Sequence, residues 1–411
     1  MKNVISLLLF FLLAHGQMIA QYQFTNFLES EGLPARSCRG MAVDSSGTLW
    51  VGTSEGVAKW NGSNFVHVPI DDSVSMPFVN VIEVAPDGNI WIGYLATGDK
   101  LGLSVIDPDG NLLLRADSIL SGEAGTWVFD IAFGPDSLTY VAHIEGISTY
   151  DGSEWNSIVR TSENYAAAPV YDLLFDRDSS LWVGTFFGLA HRHTDGRWEN
   201  FYTLSTDIIS NNIRTLEQDA QGRLWIGTGN GLSIYDGQNF ENYEMDQGLP
   251  DIFLRDITFD ASNNAWIGTD DGFSVFDGAS FQNFKTFEDD FIGNTIRDVV
   301  IHPTLGTWLT TRRGVFLVEQ VATSTEDKPL DLDVQPKVFP NPTHGPVNLL
   351  WEKEGLLTVS IFSSQGQLVK TLEPMDHERA MTTDLSSMPS GIYWLRIETK
   401  DGLLTKKIVK Q

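Results

Sequence analysis

Residues 224–250 read LWIGTGNGLSIYDGQNFENYEMDQGLP. A Trp-centred apolar run, Leu224 to Thr228, is followed by a Gly turn, a second short run from Gly231 to Tyr235, the pair Asp236-Gly237 and an aromatic run from Phe240. Asp-Gly between apolar runs is what a two-residue hairpin with positive φ requires, so these runs predict antiparallel strands. In the next copy an apolar strand over residues 254–259 and a polar turn, Ala261-Ser262-Asn263-Asn264, precede the Trp-centred run. One unit is therefore a four-stranded antiparallel meander. Its central aromatic recurs at 50, 91, 140, 182, 225, 266 and 308, with spacings of 41, 49, 42, 43, 41 and 42 residues. A lone meander with two apolar faces is not stable, whereas seven packed radially bury both faces of each and leave only short edges. The expectation is an all-β chain with a seven-bladed β-propeller over residues 21–319.

The ends predict how the ring closes. The seventh copy stops after Val315-Phe316-Leu317-Val318, one strand short. The absent strand is at the other end. Phe24-Thr25-Asn26-Phe27 followed by Gly32-Leu33-Pro34 matches Phe240-Glu241-Asn242-Tyr243 followed by Gly248-Leu249-Pro250. The N-terminal strand should complete the last blade, since an open solenoid would leave Phe24 and Phe27 exposed. Ahead of it, Lys2, an apolar run from Val4 to Ala14 and a polar stretch to Ala20 predict a signal peptide over residues 1–20. That run is too short to cross a bilayer and no later one equals it, so no transmembrane segment is expected in the mature chain.

The order Trp-Ile/Val-Gly-Thr, Gly-Leu, Tyr-Asp-Gly, Phe and Gly-Leu-Pro in residues 224–250 resembles the two-component regulator propeller repeat. The resemblance extends over the whole predicted ring. It implies a propeller of the kind found in periplasmic sensor halves of hybrid two-component systems, where such rings detect oligosaccharides. Neither a kinase nor a DNA-binding region follows the blades, and there is one ring where the regulators usually carry two, so a signalling role is not implied. Beyond a polar linker at 320–335, Val338-Phe339-Pro340-Asn341-Pro342, Gly391-Ile392-Tyr393-Trp394-Leu395 and the basic finish Lys406-Lys407-Ile408-Val409-Lys410 resemble the type A C-terminal sorting domain of the type IX secretion system of Bacteroidetes-type bacteria. Over residues 336–411 this implies a small immunoglobulin-like β-sandwich and the type IX secretion machinery as a partner. It also implies passage across the outer membrane, then release or attachment at the cell surface.

The 411 residues hold 54 Asp and Glu against 27 Lys and Arg, a net charge of −27. Residues 327–411 carry ten basic and eleven acidic side chains and the signal segment one basic, so residues 21–326, essentially the ring, carry the −27. Nucleic acid and anionic lipid repel such a polyanion, and neither is expected as a partner. Cys38 is the single cysteine, which excludes internal disulfides and Cys-clustered metal sites. No loop has the Asp/Asn spacing and terminal Glu of a calcium site. His191 and His193 alternate on one strand, but the sequence identifies no third ligand. No cofactor and no metal site is expected.

If the innermost strand of each blade runs downward from an upper face, its entry shares that face with the turn between strands two and three. The tight hairpins share the other face. Lower turns are Gly, Asn, Asp and Ser throughout, whereas upper positions differ between blades, and variation is where specificity is built. The entry positions are Arg39, Asn80, Phe129, Tyr171, Arg214, Arg255 and Arg297. The upper turns add an insertion at 95–101, Phe186, Phe187, Arg312 and Arg313. One side of the channel mouth is then cationic and the other aromatic. Guanidinium forks hold carboxylates and flat rings stack on sugar faces. Against this, Asp follows Phe129, Tyr171, Arg255 and Arg297, so the arginines could instead pair with acidic residues of neighbouring blades.

Tyr94 and His143 replace the Thr of the repeat, and they are the rim residues with acid–base chemistry. No Gly-rich phosphate loop, Gly-x-Ser-x-Gly or His-Glu-x-x-His is present. The expected function is an exported, non-catalytic recognition module binding an oligosaccharide or an extracellular protein on the upper face. A propeller-type lyase, such as the streptogramin lyases, acting at the mouth is the runner-up. A scaffold in a surface assembly is the third reading.

Overall fold

Seven strands, Cys38–Val43, Val79–Val84, Val128–Phe133, Val170–Phe175, Ile213–Gln218, Leu254–Phe259 and Ile296–His302, each begin a four-stranded antiparallel sheet in the computed structural model. These sheets are blades 1 to 7. Each first strand packs against the first strands of the two flanking blades, and that of blade 7 packs against that of blade 1. The first strands are thus the inner wall of a closed ring. The structure describes residues 21–70, 78–95, 102–116, 127–158, 169–285, 291–321, 337–341, 343–350, 356–363, 368–372, 380–399 and 402–410. The expected signal peptide, most of the blade 2 insertion and most of the expected linker lie outside these residues. The chain divides into two compact units, one holding Phe24–Glu319 and the other Gln320–Gln411.

Closure follows the sequence reading. In blade 7 the strand order is Ile296–His302, Gly306–Thr311, Gly314–Val321 and then Gln21–Phe27, the N-terminal strand. Phe27 is buried among Trp60, Phe65 and Trp308, with ring centroids 5.0, 5.8 and 5.4 Å away. Phe24 lies 6.1 Å from Phe273 and 6.3 Å from Phe284 in blade 6. The closing strand therefore ties blade 7 to both its neighbours. Gly314, at φ 122°, lies where a Cβ would meet the Phe27 carbonyl oxygen at 2.4 Å, so only glycine lets these strands approach.

Repeated polar contacts fix most of the blades below and above. At the lower turn, the indole N–H of Trp50, Trp182, Trp225 and Trp266 donates to Asp44, Asp176, Asp219 and Asp260 at 2.9, 3.1, 3.0 and 3.3 Å. Asp44, Asp219 and Asp260 also accept backbone N–H groups of their turns. In blade 3 the Tyr140 hydroxyl donates to Asp136 in the same way. Blade 7 departs from the pattern. His302 stands in the Asp place and its Nδ1 accepts the turn N–H groups of Thr304 and Leu305, which leaves the Trp308 indole N–H without a partner. At the upper turn, the hydroxyls of Thr53, Thr185, Thr228, Thr269 and Thr311 each donate to a Gly carbonyl three residues on.

The second unit has a three-stranded sheet (Lys337–Phe339, Pro346–Leu350, Ala380–Asp384) and a four-stranded one (Leu368–Leu372, Leu356–Ser363, Gly391–Thr399, Gly402–Lys410). Val347 and Leu349 of the first meet Val359, Ile361, Tyr393, Leu395 and Ile408 of the second in one core. Alternate residues of each strand face inward, the pattern of a small β-sandwich.

Candidate ligand site

Backbone hydrogen bonds place the upper turns against the entries of the inner strands. The N–H of Ser54, Leu95, Ile144, Phe186, Gly229 and Asp270 donates to the carbonyl of Ser37, Phe78, Trp127, Pro169, Asn212 and Phe253, each two residues ahead of an expected entry position. Directly after that, every inner strand carries a register shift against its neighbour: Cys38/Met41, Val79/Val81, Val128/Asp130, Val170/Asp172, Ile213/Thr215, Leu254/Asp256 and Ile296/Asp298. Arg39, Asn80, Phe129, Tyr171, Arg214, Arg255 and Arg297 all fall inside these shifts. A β-bulge breaks the ladder and re-aims a side chain, and here the re-aimed residue meets the next blade in every blade but blade 6, where Arg255 turns to Phe253 and Asp270 of its own blade.

The resulting contacts run round the mouth. Arg297 donates to the Ser37 hydroxyl at 3.2 Å and the Cys38 carbonyl at 3.1 Å. Arg39 donates to Asn80 Oδ1 at 2.9 Å, and Asn80 Nδ2 donates to the Val128 carbonyl at 2.9 Å. The Phe129 and Tyr171 rings meet edge to face at 5.0 Å. Arg214 lies over Tyr171 at 4.0 Å and over Phe253 at 5.1 Å, and Arg255 over the same Phe253 at 4.6 Å. Phe186 is 6.5 Å from Tyr171 and 4.9 Å from Phe187. Phe186 and Phe187 are both exposed, as are Trp127 and Ile144 on the same side.

The arginines differ in how well they are satisfied. Arg255 forms a two-point ion pair with Asp270, at 2.7 and 3.1 Å. Arg39, Arg214 and Arg297 form no ion pair among the described residues. Arg39 Nε is buried without any partner. Burial, reinforced by repulsion from Arg255 and Arg312, lowers Arg39 to about 10. Burial, with repulsion from Arg39, Arg312 and Arg255, lowers Arg297 to about 9. Arg312 and Arg313 are exposed on the upper turn of blade 7, next to this cluster. An enclosed cation without a counter-charge costs several kcal/mol, on the order expected for a desolvated ion, and an anionic ligand would supply the missing charge.

The acidic residues beside the entry positions do other work. Asp130, Asp172 and Asp256 accept the backbone N–H of Leu173, Leu216 and Val299 at 2.9, 2.7 and 2.7 Å, each on the next blade. Asp298 accepts the N–H of Met41 at 2.5 Å and so joins blade 7 to blade 1. These four carboxylates staple blade to blade instead of answering the arginines, and the one arginine of the mouth that pairs with an acid among the described residues, Arg255, takes Asp270 of its own blade. Enclosure by the ring raises all four above the ordinary Asp range, and Asp130 and Asp172, like Asp256 and Asp298, are hydrogen-bonded to each other. Burial also raises Glu83 and lifts Glu217 to about 7 on the same inner wall.

Two expected rim residues are not at the rim. Tyr94 and His143 are each 1% exposed, inside their blades. His143 Nδ1 accepts the Glu145 N–H at 3.2 Å, as the Thr hydroxyl accepts the N–H two residues on in blades 1, 4, 5, 6 and 7. Its Nε2 meets Ser148 Oγ at 3.0 Å, and burial lowers the ring to about 4, so it is a neutral packing group in the Thr place. Sequence reading also missed Phe78, Trp127 and Phe253. Phe78 lies 5.1 Å beneath the Arg39 guanidinium and Trp127 is 6.5 Å from Phe129. All three stand two residues before an entry position, and two-residue periodicity along a strand marks such positions as sharing its direction.

Residues 337–411 match the secretion system C-terminal sorting domain, and residues 207–230 match the two component regulator propeller. Residues 207–230 are thus similar to a regulator-type propeller repeat, and residues 337–411 to a secretion-system sorting domain. That domain marks the chain for the cell exterior, either secreted or at the outer surface, and makes the secretion machinery a partner. No curated protein matches the chain. Among solved structures, the extracellular domain of the putative hybrid two component system BT3049 from B. thetaiotaomicron aligns with a TM-score of 0.64 and 16% identity, covering 95% of this chain and 58% of that one. Virginiamycin B lyase from Staphylococcus aureus aligns at 0.57 and 12%, covering 73% of this chain and 99% of the lyase. YCF48 bound to D1 peptide aligns at 0.53 and 12%, covering 74% and 96%. At these identities the likeness is one of fold. This chain spans little more than half of the regulator's extracellular domain, and no helix among the described residues is long and apolar enough to cross a membrane.

Proposed function

We propose that the ring is a non-catalytic recognition module at the cell exterior, and that its upper mouth binds an acidic oligosaccharide. The observation that carries this reading is the enclosed pair Arg39 and Arg297, which lack a carboxylate partner among the described residues while lining the mouth beside an aromatic arc. A uronic acid or similarly charged sugar offers both complements. Its carboxylate takes the guanidinium donors, and its ring face stacks on Phe129, Tyr171, Phe186 or Phe187. A strongly acidic protein repels anions at long range, so binding depends on short-range contacts with the arginines at the mouth. In this reading residues 1–20 are removed on export, and the linker at 320–335 lets the ring work apart from the sorting tail.

An oligosaccharide array of acidic and neutral chains, probed with the full protein, tests the proposal. Binding should be confined to carboxylate-bearing chains and be lost in Arg297→Met. Equal binding of neutral chains, or unchanged binding by Arg297→Met, overturns it. The lyase reading is weakened by the burial of both groups first considered for acid–base work, His143 and Tyr94.

A further inference from the structure

The outer hairpin of blade 4 joins Gly188–Arg192 to Trp198–Phe201. Strand alternation puts His191 and His193 on one face, and the register pairs His191 with Glu199 across the hairpin. Glu199 thus joins the two histidines, a neighbour that the sequence alone did not reveal. One ligand atom from each of the three side chains lies within 4.8 Å of the other two. His193 Nε2 and Glu199 Oε2 are 3.2 Å apart, and the two imidazole rings are 4.2 Å apart. Ligands held at about 2.0–2.1 Å in a tetrahedron are separated by roughly 3.3 Å, so the His193–Glu199 spacing already has the edge length of such a site.

His191 is held in place from behind. Its ring stacks on Trp182 at 3.8 Å and 3°. Its Nε2 meets Ser180 Oγ at 2.7 Å. A hydroxyl that accepts a hydrogen bond from Nε2–H leaves Nδ1 with a free lone pair, the kind of outer contact that fixes a ligating histidine's tautomer and orientation.

We propose that His191, His193 and Glu199 bind a divalent transition metal, with zinc as the ion best suited to two imidazoles and one carboxylate. Calcium and magnesium prefer all-oxygen sites. Three protein ligands leave a fourth position for water. The site stands apart from the channel mouth, so it does not depend on the acidic-oligosaccharide reading. It cross-links the two outer strands of blade 4, and bound metal should raise the stability of the ring.

The test uses the full chain, stripped with chelator and titrated with zinc by calorimetry and with cobalt by absorption. One site should appear, with the intense visible bands of four-coordinate cobalt, and excess calcium should not displace the metal. Glu199→Gln, a near-isosteric change at an exposed position, and His193→Ala should each weaken binding by about tenfold or more, while His67→Ala should not. Should His193→Ala fail to fold, Glu199→Gln decides alone. Absence of zinc uptake by the folded chain, or equal uptake in Glu199→Gln, would show that the cluster is only a surface ion pair and would overturn the proposal.

Discussion

Arg214 sits at one end of the inner strand of blade 5, Ile213–Gln218, and Asp219 directly follows the other end, and their surroundings could hardly differ more. Asp219 is fully buried at the lower turn, and its oxygens accept from the Trp225 indole, the Gln221 and Arg223 N–H groups and the Arg223 guanidinium. Arg214, at the mouth, rests between the faces of Tyr171 and Phe253 and has no ion pair among the described residues. The contrast recurs around the ring. Polar groups at the lower turns recur in most blades and, blade 7 apart, satisfy one another, which makes them scaffold. Those at the mouth vary, and several lack a counter-charge, which is how a surface poised for a ligand differs from one built for stability.

That contrast breaks in graded ways. The largest loss belongs to the closure that holds all lower turns in one ring: Phe27→Ala should cost about 4 kcal/mol, since it empties a cavity lined by Trp60, Phe65 and Trp308. A lowered denaturation midpoint would register it, whereas a near-neutral outcome would show that the N-terminal strand does not seal the ring. Asp219→Ala should cost about 3 kcal/mol, because it strips a buried hub and leaves the Trp225 and Arg223 donors unpaired. Oligosaccharide binding by the folded fraction of that variant should be unchanged.

The inner-wall acids give a smaller and pH-dependent effect. Glu217 has a folded value of about 7, raised by burial, so its protonated form is favoured in the native ring. The stability linked to it is complete below the ordinary Glu value and is lost as pH rises through about 7. Glu217→Gln should therefore match the parent near pH 5 and exceed it above pH 7 by about 1 kcal/mol, a figure reduced for solvent access along the channel. Melting curves across that range check the sign. The smallest effect is expected of His143→Thr, which restores the repeat residue: a stability change within about 1 kcal/mol and no change in binding. A clear loss of binding would assign His143 a role in the site.

Much of this was legible in the sequence, for reasons tied to particular residues. The Trp spacing and the match of Phe24–Phe27 to Phe240–Tyr243 announce seven blades and their closure, because repetition reports directly on packing. The ring of entry residues was legible from alignment of the repeats. Their chemistry was less so. Asp130, Asp172, Asp256 and Asp298 look like partners for arginine when only side chains are counted, but each bulge frees a backbone N–H of the next blade that claims the carboxylate first. His143 looks exposed because the Thr place lies near the rim, yet that place is defined by an inward hydroxyl, which the imidazole imitates. Glu199 escaped notice because cross-strand partners depend on where the turn at Asp195-Gly196 falls, which spacing along a single strand does not reveal.

The central claim is that the mouth arginines are held for a ligand and not for the fold. The double variant Arg39→Met, Arg297→Met, compared with the parent for both melting temperature and binding of a carboxylate-bearing oligosaccharide, tests it most directly. The account predicts an equal or higher melting temperature, since two half-buried charges without a counter-charge are removed, together with loss of binding. A lower melting temperature with binding intact would contradict it.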